Sequence, residues 1–539
     1  MKNILSFGLT SLVSVALAQV APTVDLGYEI HGATVNTTGD YYLFSSVPYA
    51  QQPVGDLRFQ KPVALSEKTN GTVNNGSTTT MCMQAYPAWI LALQAQAYGV
   101  DEATIEAILA SQPGQTESCL VLDVYVPAAV FNKSVAETPV LLWIHGGGFT
   151  SGSKISSGSP AGLIARSQLS NESEVIFVSI NYRLGMFGWL AGDDVTPNLG
   201  LYDQRMAMEW VQKYISRFGG DPNKLTVMGE SAGASSILHH ITGYGGAVSA
   251  PFQRAISQSP AFQFNINTTK TYDLTLDVAS NVTEMTISSV EQLKSLDLAT
   301  LQAINQRVVI QAMQGTFNYG IVTDGTYVPK TPQVLLLEGK FDHSVNVMAS
   351  HMSNESIPFI PSSLTTAANI QAYLTSSLPQ ATPETIAYIL QTVYPDVLDG
   401  TYPWTTEFAR AATIASEINF ACSTNYLATA FANKTYNYVF SYPPGYHAAD
   451  LPYIFFNGDT TTADDGLPVN ETLAHALQDY IVAFVQTGKP QAEGLVDFPE
   501  YGSEAAVLDF TYGGVVRGVD DLANPRCDWI QQAMAEGLI

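Results

Sequence analysis

The chain has 539 residues, 46% apolar and 13% charged, a globular composition long enough for one large core or for a principal domain carrying subdomains. Acidic side chains outnumber basic ones 48 to 23, for a formal charge of -25. Phosphate binding needs basic patches, so this balance argues against nucleic acid or an anionic membrane as partner.

In chain order, Met1-Lys2-Asn3 precedes an apolar run over residues 4–17 that ends in Ala16-Leu17-Ala18. This reads as a signal peptide, residues 1–18, cleaved before Gln19; the run is too short for a membrane anchor. No later stretch is apolar enough to span, so the expectation is export without integral membrane association. Residues 28–35 and 41–44 read as an N-terminal hairpin. Between Cys82 and Cys119 lies an unusually apolar run for a surface insert, residues 87–93. From Leu120 onward, strand-like runs at 120–126, 140–145, 174–181, 225–228, 255–258 and 344–348 alternate with helical ones. That grammar predicts an α/β fold, a mostly parallel sheet with helices on both faces. Helical periodicity dominates residues 282–341 and 361–430, which predicts helical insertions over the C-terminal edge of the sheet. No repeats or low-complexity linkers divide residues 19–539, which read as one catalytic unit.

Asn-x-Ser/Thr triplets occur at Asn36, Asn70, Asn75, Asn132, Asn171, Asn267, Asn281, Asn354, Asn433 and Asn470. In an exported chain this density predicts a glycoprotein. Four cysteines, Cys82, Cys119, Cys422 and Cys527, predict two disulfides, for which spacing alone permits three pairings. With no closely spaced thiols and no clustered histidines, no metal site is expected.

The chemistry concentrates in two motifs. Residues 225–228 form a short apolar run that enters Gly229-Glu230-Ser231-Ala232-Gly233 and then a run of small helix-forming residues, the strand, sharp turn and helix of a nucleophile elbow. Glycine at either flanking position lets the turn tighten and expose the Ser231 hydroxyl. Upstream, the strand ending in His145-Gly146-Gly147-Gly148 offers backbone N–H groups that no side chain screens, the material of an oxyanion hole. The two motifs together resemble the type-B carboxylesterase/lipase family, the α/β-hydrolases that include cholinesterases and secreted fungal lipases.

That resemblance extends over most of the chain. It implies pairing of Cys82 with Cys119 and of Cys422 with Cys527, ion pairs Arg58–Glu117 and Arg183–Asp203 as scaffold, and a lid or gorge-rim role for the disulfide-closed loop 83–118. The alternative for this loop is a segment packed down as a satellite core. A serine hydroxyl needs a base, and the base needs a carboxylate to fix its tautomer. In this fold the order is serine, acid, histidine. His31 and His145 precede Ser231, and His239 and His240 lie on the helix leaving the elbow. Among His343, His351, His447 and His475, His447 sits in Pro444-Gly445-Tyr446-His447, which resembles the family's histidine loop with its following acid and aromatic run. The acid implied is Glu355, in a segment where Asn354 and Ser356 stand for the family's usual Asp and Gly; Asp324 and Asp342 are the fallbacks. Glu230 reads as a buried carboxylate supporting the site. The oxyanion donors implied are the N–H groups of Gly147, Gly148 and Ala232.

The resulting expectation is an exported serine carboxylic-ester hydrolase, without cofactor, acting on a small-molecule or lipid ester. Rival readings are a tailoring esterase for one secondary metabolite and a non-catalytic esterase-like binding module. A buried Glu355 next to an exposed acceptor is expected to conflict, which predicts an unmodified Asn354.

Overall fold

The runs at residues 121–127, 138–144 and 176–180 show little polar alternation, as strands covered on both faces do, and every residue in them is buried. In the computed structural model, which describes residues 21–66, 71–131, 137–169, 172–263, 267–460 and 468–539, these runs lie at the heart of an eleven-stranded sheet. The strands are β1 (Thr23–Asp25), β2 (Ile30–Gly32), β3 (Thr34–Asn36), β4 (Tyr41–Pro48), β5 (Val73–Asn74), β6 (Val121–Pro127), β7 (Thr138–Ile144), β8 (Ile176–Ile180), β9 (Gly220–Glu230), β10 (Arg254–Gln258), β11 (Asn346–Met352), β12 (Tyr436–Phe440), β13 (Ala506–Thr511) and β14 (Gly514–Val519).

The large sheet has the order β14-β13-β12-β11-β10-β9-β7-β8-β6-β4-β3. Its middle, from β8 to β13, is parallel. The flanks β3-β4-β6-β8 and β13-β14 are antiparallel. Parallel neighbours need crossovers, and the helices that supply them bury the sheet on both faces. The expected N-terminal hairpin is only partly right. β3 pairs with β4, but β2 leaves at Ala33 to join β1 and β5 in a separate three-stranded sheet.

Both expected insertions are helical. Val290–Lys294, Leu298–Val309 and Pro332–Leu337 fall in the first, and Ala367–Ser377, Glu407–Ser416 and Cys422–Ala430 in the second. Cys82 is bonded to Cys119 and Cys422 to Cys527. Arg58 grips Glu117 with two hydrogen bonds of 2.7 Å, and the buried Arg183 grips Asp203 at 2.8 and 2.7 Å. No helix among the described residues is long and apolar enough to cross a membrane.

The disulfide-closed segment 83–118 is a helical hairpin, Ala88–Tyr98 and Glu102–Ala110, with a small core of Leu91, Ala95, Ile105 and Leu109. Trp89 is buried, donates Nε1–H to the Thr316 carbonyl at 2.9 Å and packs against Phe317 and Phe359. Within the apolar run Pro87, Trp89 and Leu91 are buried, whereas Leu93 is exposed.

Candidate active site

β9 runs straight into the elbow. Ser231 adopts φ 56°, ψ -122°, a left-handed conformation that a non-glycine residue holds only where its surroundings force it, and the helix Ala232–Ile241 starts at the next residue. Its N–H is anchored to the Gln258 carbonyl at 3.0 Å. The flanking glycines are required by contact. A Cβ on Gly233 would lie 2.1 Å from the Ile144 carbonyl oxygen, and one on Gly229 would lie 2.8 Å from the same atom. Closeness of β7, β9 and the helix thus fixes Gly-x-Ser-x-Gly.

Ile144 ends β7, and the glycine turn follows it. Gly147 (φ 106°) and Gly148 (φ 60°) both occupy the left-handed region. A Cβ on Gly147 would strike the Ser151 carbonyl at 2.2 Å, and one on Gly148 the Phe317 ring at 2.2 Å. Gly146, Gly147 and Gly148 line one cavity together with Ser231 and His447. His145 points away. Its ring stacks on Tyr182 at 4.4 Å, and burial depresses its pKa to about 4, so it is a neutral packing element.

His447 lies in the loop after β12, and Glu355 in the loop after β11; the neighbouring parallel strands deliver the two together. His447 Nδ1 meets Glu355 Oε2 at 2.6 Å. Glu355 is fully buried, and its other oxygen accepts from the Met352 N–H at 2.7 Å. Asn354 knits the loops together, donating its N–H to the Gly445 carbonyl and its Nδ2 to the Pro444 carbonyl, each at 2.8 Å. The conflict expected between a surface Asn354 and a buried Glu355 does not exist. The chain turns so sharply that Asn354 is exposed while Glu355 is not, and burial gives no reason for Asn354 to escape modification.

Neither fallback acid is near His447. Asp324 accepts from Thr326 N, Val328 N and Asn198 Nδ2, closing a loop, and Asp342 accepts from Ala250 N and Ser344. Of the acceptor asparagines, Asn75, Asn267 and Asn281 are exposed and Asn36, Asn433 and Asn470 half-buried, whereas Asn70, Asn132 and Asn171 lie outside the described residues.

His447 Nε2 lies 3.1 Å from Glu230 Oε1, yet neither atom makes a hydrogen bond. Burial pushes the Glu230 carboxyl up to about 8, with His447 pulling it down and Asp450 and Glu355 adding to the rise. For His447, burial works against the charged form, but Glu230 and Glu355 outweigh it and raise the imidazole to about 8. Asp450 is buried and raised to about 7 by desolvation; its Oδ2 accepts from Tyr438 Oη at 2.8 Å. Phe359 and Phe420 enclose the imidazole, with centroids 5.0 and 4.9 Å away. Phe359 comes from the turn that follows Glu355 and Phe420 from the second helical insertion, and nothing in the sequence singles them out.

The chain matches the model of the carboxylesterase family over residues 21–528. It is 37% identical to carboxylesterase patB of Penicillium expansum across 96% of both chains. It is also 33% identical to lipase 5 of Diutina rugosa, over 76% of this chain and 75% of that one. This protein is a member of the carboxylesterase family. With esterase and lipase relatives at this identity and coverage, it is a carboxylic ester hydrolase. The fold agrees with that of the Aspergillus niger EstA crystal structure, which is 22% identical with a TM-score of 0.79 over 96% of this chain and 99% of that one. A thermophilic pNB esterase superposes with a TM-score of 0.74 at 23% identity.

Proposed function

We propose that this carboxylesterase works through Ser231, His447 and Glu355. The observation that carries the reading is the 2.6 Å bond from His447 Nδ1 to a fully buried Glu355, with Nε2 left on the cavity that Ser231 also lines. The carboxylate takes the Nδ1 proton as a hydrogen bond, so Nε2 carries the lone pair. Nε2 removes the Ser231 hydroxyl proton as Oγ bonds to the ester carbonyl carbon. The oxyanion that forms is met by the N–H groups of Gly147, Gly148 and Ala232, backbone donors fixed in place before the charge develops. Collapse breaks the bond to the alcohol oxygen, which leaves with the proton held on Nε2. Water then repeats the sequence on the acyl-enzyme, giving acid and free enzyme.

Export and glycosylation complete the reading. They are supported by the leader-like residues 1–18 and by two disulfides, which persist in oxidising compartments. The test is a panel of aryl esters of increasing acyl length plus a triglyceride emulsion, assayed with wild type and Ser231→Ala. Activity that vanishes with Ser231 supports the reading, and activity that survives refutes it. Peptide mapping of the exported protein should find Gln19 at the N-terminus and sugar on Asn75, Asn267 or Asn281.

A further inference from the structure

A cavity of about 470 Å³ lies beside the loop that carries Glu355, and neither Ser231 nor His447 lines it. That volume is in the range of sites for drug-sized molecules. Its floor is one face of the sheet, where register sets His351 of β11, Val439 of β12 and Asp509 of β13 side by side. Its roof is the helix Glu407–Ser416, which contributes Ala409, Ala412, Thr413 and Ser416. Spaced at i, i+3, i+4 and i+7, these share one helix face, and their small side chains leave the space below them open.

The charges around this cavity do not balance. On the roof, Glu417 is matched by Arg526, whose Nε lies 3.1 and 3.0 Å from its two oxygens. At the floor, the charge of His351 is taken up by Asp520 at 3.3 Å. Asp509 and Asp521 also line the cavity, and neither lies within ion-pair distance of a cation among the described residues. Asp509 Oδ1 is buried without a hydrogen-bond partner. Burial raises the Asp509 carboxyl, with Ser441 and His351 pulling it down and Asp521 adding to the rise. Carboxylates short of partners in such a place favour entry of a cation. The remaining wall, with Ile357, Phe408, Val439 and Leu522, suits a hydrocarbon body and not a hydrated metal ion.

The roof is also a wall of the active site. The helix continues into the π-helical turn Glu417–Ala421, an irregularity frequent at functional sites. Glu417 and Ala421 line the large cavity, whereas Asn419 and Phe420 line the small space that touches Ser231. Phe420 packs on the His447 ring with centroids 4.9 Å apart. Ser356, next to Glu355, lines both spaces and donates Oγ–H to the Ala412 carbonyl at 2.7 Å, which fastens the roof to the loop of the acid.

We propose that this cavity binds a small organic cation, an ammonium on an apolar body, through Asp509 and Asp521, and that its occupancy raises turnover by bracing the turn that holds Phe420 against His447. Binding stands apart from the Ser231–His447 reading, whereas the effect on turnover rests on it. A ligand shifts turnover only as far as it favours one arrangement of that turn over another.

The test titrates the full-length protein near neutral pH with N,N-dimethyl-2-phenylethylamine, a tertiary amine that is protonated and cannot accept the acyl group. 2-Phenylethanol is the uncharged comparison and calcium chloride the inorganic one. Calorimetry on Ser231→Ala reads binding without turnover, and kcat and KM for 4-nitrophenyl acetate read the effect on wild type. The amine should bind about tenfold more tightly than the alcohol, and Asp509→Asn and Asp521→Asn should each weaken it about tenfold. It should raise wild-type kcat about fivefold with KM little changed. Absence of amine binding, equal binding of the alcohol, or binding of calcium alone overturns the ligand class. Binding that both aspartate variants leave unchanged, or that competes with substrate, overturns the site. Binding with kcat unmoved overturns the link to turnover. Asp521 is exposed, so Asp521→Asn decides the matter if Asp509→Asn does not fold. Activity that survives loss of Ser231 would instead strike the underlying mechanism, an outcome distinct from every binding result.

Discussion

Two histidine–carboxylate pairs stand at the end of β11, and they do opposite things. His447 meets Glu355 through Nδ1, and its Nε2, beside the cavity of Ser231, lies 3.1 Å from Glu230 Oε1 without hydrogen-bond geometry. His351, four residues before Glu355, is closed at both ends. Its Nδ1 faces the Met352 carbonyl at 3.2 Å and its Nε2 faces Asp520 at 3.3 Å. Two acceptors on one ring require two N–H donors, so His351 is held as imidazolium. Burial opposes that charge, but the bond to Asp520 and the charges of Asp520, Asp521 and Glu355 overcome it and raise the pKa to about 9. A buried histidine beside a carboxylate is thus not in itself a base. What matters is whether one nitrogen is left with a lone pair and somewhere to use it.

The contrast is sharpest in activity. Ser231→Ala and His447→Ala should each lower kcat by about a millionfold, as members of a unit do. Thermal melting of Ser231→Ala should stay close to wild type, whereas His447→Ala leaves the fully buried Glu355 without its partner and should melt lower. Esterase activity near wild type in either variant would remove the distinction between the pairs. Glu355→Gln keeps the shape but loses the charge that fixes the tautomer, and should cost about 10⁴ in kcat. A loss under tenfold would assign the orienting role elsewhere.

His351→Gln should act the other way. Asp520 would keep Tyr501 Oη and the Leu522 N–H but lose its cation, and breaking a buried pair costs about 3–5 kcal/mol. The expected result is a clearly lower Tm with kcat within a few-fold of wild type at low temperature. The folded pKa of about 9 lies above the ordinary 6.5, so this stabilisation is complete below 6.5 and is lost as pH rises through about 9. The Tm gap between wild type and variant should accordingly narrow across that window. A constant gap would mean that His351 contributes packing alone.

Much of the α/β architecture was legible because buried parallel strands are short apolar runs, and the elbow because Gly229 and Gly233 face backbone too near for a side chain. Glu355 and His447 are separated by 92 residues, and only the family's motifs join them; pattern alone offers no reason to choose His447 over His351. Strands β12 to β14 escaped because Tyr and Asn in β12, and Arg and Gly in β14, blur the apolar signal. The aromatic walls escaped for another reason. Phe317, Phe359 and Phe420 come from loops and insertions whose contacts depend on tertiary packing, and no spacing announces them. The N-terminal hairpin misled because a single turn at Ala33 sends β2 into a different sheet from β3.

The smallest expected effect concerns Glu230, which gives His447 a second carboxylate on the very side where the base must work. An anion 3.1 Å from Nε2 favours the imidazolium and so holds back the free base. Replacement by glutamine keeps the volume and removes that charge, while Glu355 still holds Nδ1. The pKa of His447 should then fall, and the acid limb of kcat/KM should move about one unit toward lower pH. Should Glu230 instead stay neutral while His447 titrates, as its own pKa of about 8 allows, the limb would not move. The same substitution applied opposite His351, Asp520→Asn, should leave the limb in place and lower the Tm. A shifted limb in Glu230→Gln with an unshifted one in Asp520→Asn would show that only the histidine with a free nitrogen couples its charge to turnover.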